Sequence, residues 1–211
     1  MAQAENKTIV VGVTGASGAL LAQAALRFLE ADARVARIHL VVTDTGARLL
    51  AHELNIATSD AKQLPSLLIG GRTAKTEVLP NRDVGASIAS GSYPVDAMVV
   101  IPCSMGTLAT IAAGTSDDLI ARAADVCLKE GRRLVLCVRD TPFSRIHLDN
   151  MLRAQQAGAV IMPAIVSFYH QPKTIDDLVA QYVYRVLAQM GLPQEQMYRW
   201  EAQSKTATTQ N

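Results

Sequence analysis

The sequence predicts an α/β protein built on a doubly wound parallel sheet, and three observations carry that expectation. Short β-branched runs alternate with apolar patterns of helical spacing. Hydrophobic residues make up 49% of the chain but aromatics only 4%, so the core is drawn from Ala, Val, Leu and Ile, as helices packed on a buried sheet require. The apolar runs also end in small and polar residues, at 15–18, 43–46, 104–107 and 139–142. Ligands of open parallel sheets bind outside the carboxyl ends of the strands, so these four segments are expected to form one site.

The opening strand is Ile9-Val10-Val11 and Val13, and Gly15-Ala16-Ser17-Gly18 turns it into a helix over 18–30 with an apolar stripe of Leu20, Leu21, Ala24, Ala25, Phe28 and Leu29. Strand, tight turn and helix present unpaired backbone N–H groups and a positive dipole end, which suit a phosphate. A second strand spans 38–42, and a helix follows over about 45–54. Residues 57–95 are less regular. Leu64, Leu67 and Leu68 suggest a short helix before Gly70-Gly71, 76–79 a strand, and 80–94 a loop. Strands at 97–101 and 134–138 frame a helix that Ser116 caps, with Asp117 and Asp118 in its first turn and Gly131 at its end. Ser104-Met105-Gly106-Thr107 reads as a small-residue turn. A helix over 144–157, a brief strand at 159–161 and a last helix from a Thr174 cap to Gly191 complete the chain. With no repeat or linker, residues 8–202 are expected to form one domain between disordered ends at 1–7 and 203–211.

Composition excludes several classes. The net charge of +1 gives no footprint for nucleic acid or an anionic membrane surface. The chain has neither an apolar run long enough for a membrane span nor the apolar core of a signal peptide, so a cytoplasmic protein is expected. Cys103, Cys127 and Cys137 sit far apart in apolar surroundings and read as reduced core thiols. His39, His52, His147 and His170 lack metal-ligand spacing, so no metal is expected.

Two charged groups suggest chemistry. Arg122, Asp125 and Lys129 share a helix face, either a solvated surface or a cationic rail that meets a phosphate or a neighbouring subunit. Arg139 and Asp140 close a core strand, where a guanidinium suits a phosphate and a carboxylate can exchange protons, although a loop ion pair is an equal reading. A nicotinamide reductase is disfavoured: Tyr169 and Lys173 have the right spacing, but Pro172 between them is incompatible with a helix interior. Gly12, Gly15 and Gly18 also miss the dinucleotide fingerprint.

Taken together, TGASGA, PCSMGTLA, ARAADVCLKEGRRLVLCVRDTPFS, IHLDNMLRAQQAGAVIMPA and FYHQP resemble the UbiX-type flavin prenyltransferases over residues 8 to 200, most weakly over 55–90. The resemblance implies a flavodoxin-like three-layer α/β/α fold, assembly as a homododecamer with sites at subunit junctions, and metal-free transfer of a prenyl group from dimethylallyl monophosphate to reduced FMN. The product would serve a UbiD-type decarboxylase. Carried over position by position, it implies FMN contacts from Gly15, Ala16, Ser17, Thr43, Ser104, Met105, Gly106, Thr107 and Arg139. Tyr169, Arg185, Lys129, Arg122 and Trp200 are the matching dimethylallyl phosphate positions, and Asp140, Lys129, Arg139, Ser17 and Glu53 the catalytic ones. Asp140 stands where the family has a glutamate, one methylene longer. The alternatives are a flavin-dependent cysteine decarboxylase, whose catalytic histidine and Pro-x-Met-Asn motif are missing, and an FMN-binding module without catalysis.

Overall fold

A computed structural model describes residues 6–56 and 60–199. Its elements in chain order are β1 (Lys7–Val13), α1 (Ala19–Ala31), β2 (Val35–Val42), α2 (Asp44–Leu54), α3 (Leu64–Ile69), β3 (Thr76–Pro80), β4 (Ala97–Cys103), α4 (Met105–Ala113), α5 (Leu119–Lys129), β5 (Arg133–Val138), α6 (Arg145–Gln156), β6 (Val160–Ile161) and α7 (Ile175–Gln189). All the strand pairs are parallel, and the strands lie in the order β3-β2-β1-β4-β5-β6. The direction of winding reverses between β1 and β4, where an open sheet leaves a crevice.

Side chains alternate across the sheet and divide the core in two. Ile9, Val11, Ile38, Leu40, Val99 and Val135 pack under α1, α2, α3 and α7, with Leu26, Leu50, Leu68 and Val183 among the partners. Val10, Val41, Met98, Val100 and Leu136 face the other way, onto Leu108 of α4, Ile120 of α5 and Ala154 of α6. The expected three layers are therefore present, and the buried strands are apolar on both faces.

Several expectations change in detail. The stretch read only as a small-residue turn at 104–107 starts a full helix, α4, because Ser104 Oγ caps Thr107 N at 3.3 Å and Leu108 and Ile111 are buried behind it. Asp118, not Ser116, caps α5. Its Oδ1 accepts from Ala121 N at 2.8 Å while Oδ2 accepts from Asn81 at 3.1 Å, a tertiary contact that local propensity does not reveal. Asp117 and Asp118 thus precede the first turn. β2 starts at Val35 rather than residue 38, since exposed Ala36 and Arg37 break the apolar run. Lys7, assigned to a disordered end, opens β1 and donates its N–H to Arg34 O at 2.9 Å. The tail at 203–211 lies outside the described residues.

The three cysteines are free and buried. Burial pushes the Cys127 and Cys137 thiols each up to about 12, and that of Cys103 higher still, so no thiolate is available. Among the described residues no helix is long and apolar enough to cross a membrane.

Candidate functional site

The carboxyl edge of the sheet is locked together by close backbone approach. Thr14, buried at the end of β1, donates its hydroxyl to Pro102 O at 2.9 Å and accepts from Ser104 N at 2.8 Å, bridging the crevice between β1 and β4. Thr43 N donates to Val13 O at 3.0 Å, which brings the α2 turn against the α1 turn. A Cβ on Gly15 would lie 2.5 Å from Thr45 Oγ1, and one on Gly46 would lie 2.6 Å from Val13 O. Both contacts exclude any larger residue.

Glu53 redefines the first turn. Its Oε2 accepts from Gly18 N at 3.0 Å and Ala19 N at 2.8 Å, so the N-terminus of α1 already holds a carboxylate. Burial raises the Glu53 pKa, but the bonds from Ala19, Gly18 and Ser17 and the nearby Arg139 outweigh it and leave it below the usual range. The phosphate-accepting role read into residues 15–18 therefore does not fit. The helix end that suits an anion is filled by the protein itself.

The open helix ends lie next door. A cavity of about 990 Å³ runs between the starts of α2 and α4, lined by Thr43, Thr45, Ser104, Gly106 and Thr107. Gly106 has nothing within 4 Å of its would-be Cβ, and so leaves the α4 backbone approachable. Gly15, Ala16, Ser17 and Met105 are not among the residues that line it. Arg139 follows β5, its N–H donated to Cys103 O at 3.1 Å, and its Nε is buried with no hydrogen-bond partner among the described residues. Asp140 beside it is exposed and turns back to accept from Thr141 N at 2.9 Å.

The remaining expected residues lie elsewhere on the chain. α5 begins at the carboxyl edge, where Leu119 N donates to Asn81 O at 2.8 Å, just past β3. It ends at the amino edge, where Arg132 donates to Gly91 O at 2.6 Å and Tyr93 O at 3.0 Å ahead of β4. At 1.5 Å rise per residue, Lys129 stands roughly 15 Å from the cavity rim. There it pairs with Glu130 next to Gly91. Arg122, in the first turn of α5, turns its side chain to Ala89 O at 3.2 Å and Asp125 at 2.8 Å. Tyr169 and Arg185 form a third group, with Arg185 donating to the Tyr169 hydroxyl at 3.4 Å. Hydrogen bonds with Ser167 and Arg185 hold the Tyr169 phenol below its ordinary pKa. Trp200 lies outside the described residues.

The sequence reading missed Thr14 and Asn81, and held Thr45 only as part of the 43–46 turn. Asn81 accepts from Ile120 N at 3.1 Å through Oδ1, so it ties the loop after β3 to the start of α5. Thr14 had a signal, as a lone polar residue closing an apolar strand just before Gly15. Asn81 had none, because its partners are 37 or more positions away.

Comparison with known proteins assigns this arrangement to a class. The flavoprotein family model matches residues 2–187. A flavin prenyltransferase UbiX from Halalkalibacterium halodurans is 44% identical over 191 residues, covering 90% of this chain and 91% of the relative. A dodecameric FMN-dependent UbiX-like decarboxylase from Escherichia coli O157:H7 superposes with a TM-score of 0.81 at 41% identity, covering 92% of this chain and all of that one. AnUbiX, solved in complex with FMN and dimethylallyl pyrophosphate, gives a TM-score of 0.80 at 40% identity over 93% of this chain and 98% of that one. The chain belongs to the flavoprotein family and, within it, to the UbiX flavin prenyltransferases. A cysteine decarboxylase from thioviridamide biosynthesis shares only the fold, at 14% identity and a TM-score of 0.58 over 88% of this chain and 98% of that one.

Proposed function

We propose that the protein joins the dimethylallyl group of dimethylallyl monophosphate to N5 and C6 of reduced FMN, releasing phosphate and yielding a prenylated flavin for a UbiD-type decarboxylase. The observation that supports this most is the division of the carboxyl edge by Glu53. With the start of α1 filled by a carboxylate, the FMN phosphate is directed to Ser104, Gly106 and Thr107 at the start of α4, with Thr43 across the cavity. The unpartnered Arg139 Nε is left for the polar rim of the flavin, where Ser17, which donates to Glu53, can still accept a hydrogen bond.

Bound reduced FMN supplies the electron-rich N5 and C6. The residues of the chain make the leaving group competent and handle protons. Lys129, Arg122 and Arg185, with a hydrogen bond from Tyr169, neutralise the phosphate monoester as its carbon–oxygen bond breaks. Two protons leave the flavin, from N5 and C6: one is delivered to the alkene of the prenyl group so that its tertiary carbon can join C6, and Asp140, its shorter reach bridged by a water, passes the other to the released phosphate.

None of those cations lines the flavin cavity of its own chain, and this supports an assembly in which neighbouring copies complete each site. Ile146, Leu148 and Leu152 on α6, with Phe168 and Ile175, are exposed apolar residues suited to such contacts. The dodecameric state of the Escherichia coli relative agrees with this reading.

The test is anaerobic incubation with reduced FMN and dimethylallyl monophosphate, followed by mass spectrometry of the released flavin. A flavin heavier by one five-carbon unit is expected, and it should activate an apo UbiD-type decarboxylase. The pyrophosphate serves as a second donor, since AnUbiX was solved with it. An unchanged flavin mass with both donors refutes the transferase reading and leaves a flavin-binding module.

A further inference from the structure

The segment after α7 folds back along that helix and is pinned at both ends. Near its start Arg34 donates to Pro193 O at 3.1 Å, and Gln194 Nε2 donates to Asp32 at 3.1 Å and Leu192 O at 2.9 Å. Further on, one side chain holds it twice: Gln181 Nε2 donates to Gln196 O at 3.2 Å, and Gln181 Oε1 accepts from Tyr198 N at 3.0 Å. Only this orientation of the amide satisfies both, since the flipped amide would set donor against donor and acceptor against acceptor. Such a two-point clamp fixes the arm in register along the helix.

The clamp places a ring. Tyr198 lies 5.2 Å from Tyr169, centroid to centroid, at an angle of 44°. Tyr169 sits in a stretch without regular structure and is 47% exposed; besides Tyr198 it meets its chain neighbours Ser167 and His170, and Arg185 through a long 3.4 Å bond. Gln181 and Arg185 are four residues apart on α7 and so share a face one turn from each other. One turn of α7 therefore carries the phosphate-binding guanidinium, and the next carries the clamp whose arm backs the tyrosine facing that guanidinium.

We propose that Gln181 and Tyr198 are positioning residues for the prenyl phosphate: the clamped arm sets the tilted Tyr198 ring against Tyr169 and holds its hydroxyl at Arg185, ready for the phosphate. This rests on the assignment of Tyr169 and Arg185 to that ligand. The flavin cradle is built from other segments, the turns after β1, β2, β4 and β5.

The experiment uses the assembled full-length enzyme with reduced FMN and varied dimethylallyl monophosphate. Tyr198→Ala and Gln181→Ala are each expected to raise KM for the monophosphate about five- to tenfold, the value of one lost aromatic pair. FMN affinity and kcat at saturation should stay near those of the parent. Tyr198→Phe, which keeps the ring, is expected to restore the parent KM. A loss of FMN affinity or of the unfolding midpoint in step with KM would overturn the proposal in favour of a purely structural arm, as would an unchanged KM in Tyr198→Ala. Arg185→Ala distinguishes the two layers. If it leaves KM unmoved, the ligand assignment itself is wrong. If it raises KM while both arm variants do not, only the positioning role fails.

Discussion

The carboxyl edge and the outer faces of α5 and α7 are built differently. At the edge, polar groups are spent on one another: Thr14 bridges β1 to β4, Glu53 fills the start of α1, and Gly15 and Gly46 admit contacts that no side chain would tolerate. Lys129, Arg122, Tyr169 and Arg185 instead lean on neighbours in sequence, on loop carbonyls or on each other, and Tyr169 and Arg185 are exposed. A rigid edge with an unpartnered Arg139 Nε is a finished half-site, whereas dispersed, loosely held cations wait for a second surface. The contrast underlies the proposed assembly, in which each chain would complete part of the site of another.

The comparison can be broken first at the edge. Gly46→Ala forces a Cβ onto the Val13 carbonyl, which as backbone cannot yield, and should cost about 3 kcal/mol and most of the bound FMN. Thermal unfolding with flavin retention measures it, and a variant as stable as the parent would show that the edge is softer than described.

The outer clusters should behave oppositely. Lys129→Ala is expected to change the unfolding midpoint little, as its pair with Glu130 is exposed, yet to abolish prenyl transfer while FMN binding persists. Mixing Lys129→Ala with Arg139→Ala subunits by co-expression should restore activity at about a quarter of the junctions if the two residues come from different copies. No recovery would place both in one chain's site and contradict the geometry of α5.

A smaller effect separates the regions by pH. The Glu53 pKa is depressed, so its contribution is complete above the unfolded carboxyl value and is lost as the pH falls through the lower folded value. Glu53→Gln should cost about 1–2 kcal/mol at neutral pH and flatten the acid dependence below about pH 4.5. Asp32, held at about 2 chiefly by its hydrogen bond from Arg34, acts in the same direction at the root of the C-terminal arm. Asp32→Asn should cost about 1–2 kcal/mol, and the loss should vanish as acid denaturation is followed from pH 4 towards pH 2. Unfolding midpoints across that range are the measurement, and a constant difference would rule out ionic linkage.

Much of this molecule was legible in its sequence. Apolar periodicity located six strands and most helices, because buried parallel strands and amphipathic helices write their burial directly into residue order. It also located the four turns of the edge, Ser104 and Arg139 among them, because those turns follow strands wherever the winding allows. Several things were decided only by tertiary contact. Asn81 selects Asp118 over Ser116 as the start of α5, and Glu53 crosses 34 positions to occupy the helix end that local pattern had offered to a phosphate. Lys129 stands at the far end of a helix because α5 runs against the strands, and Arg122 in its first turn pairs with Asp125 and Ala89 O. Local sequence fixes which groups a segment presents, through short-range propensity and burial. Which groups meet depends on chain winding and on pairings between distant positions, and these exist only once the sheet has formed.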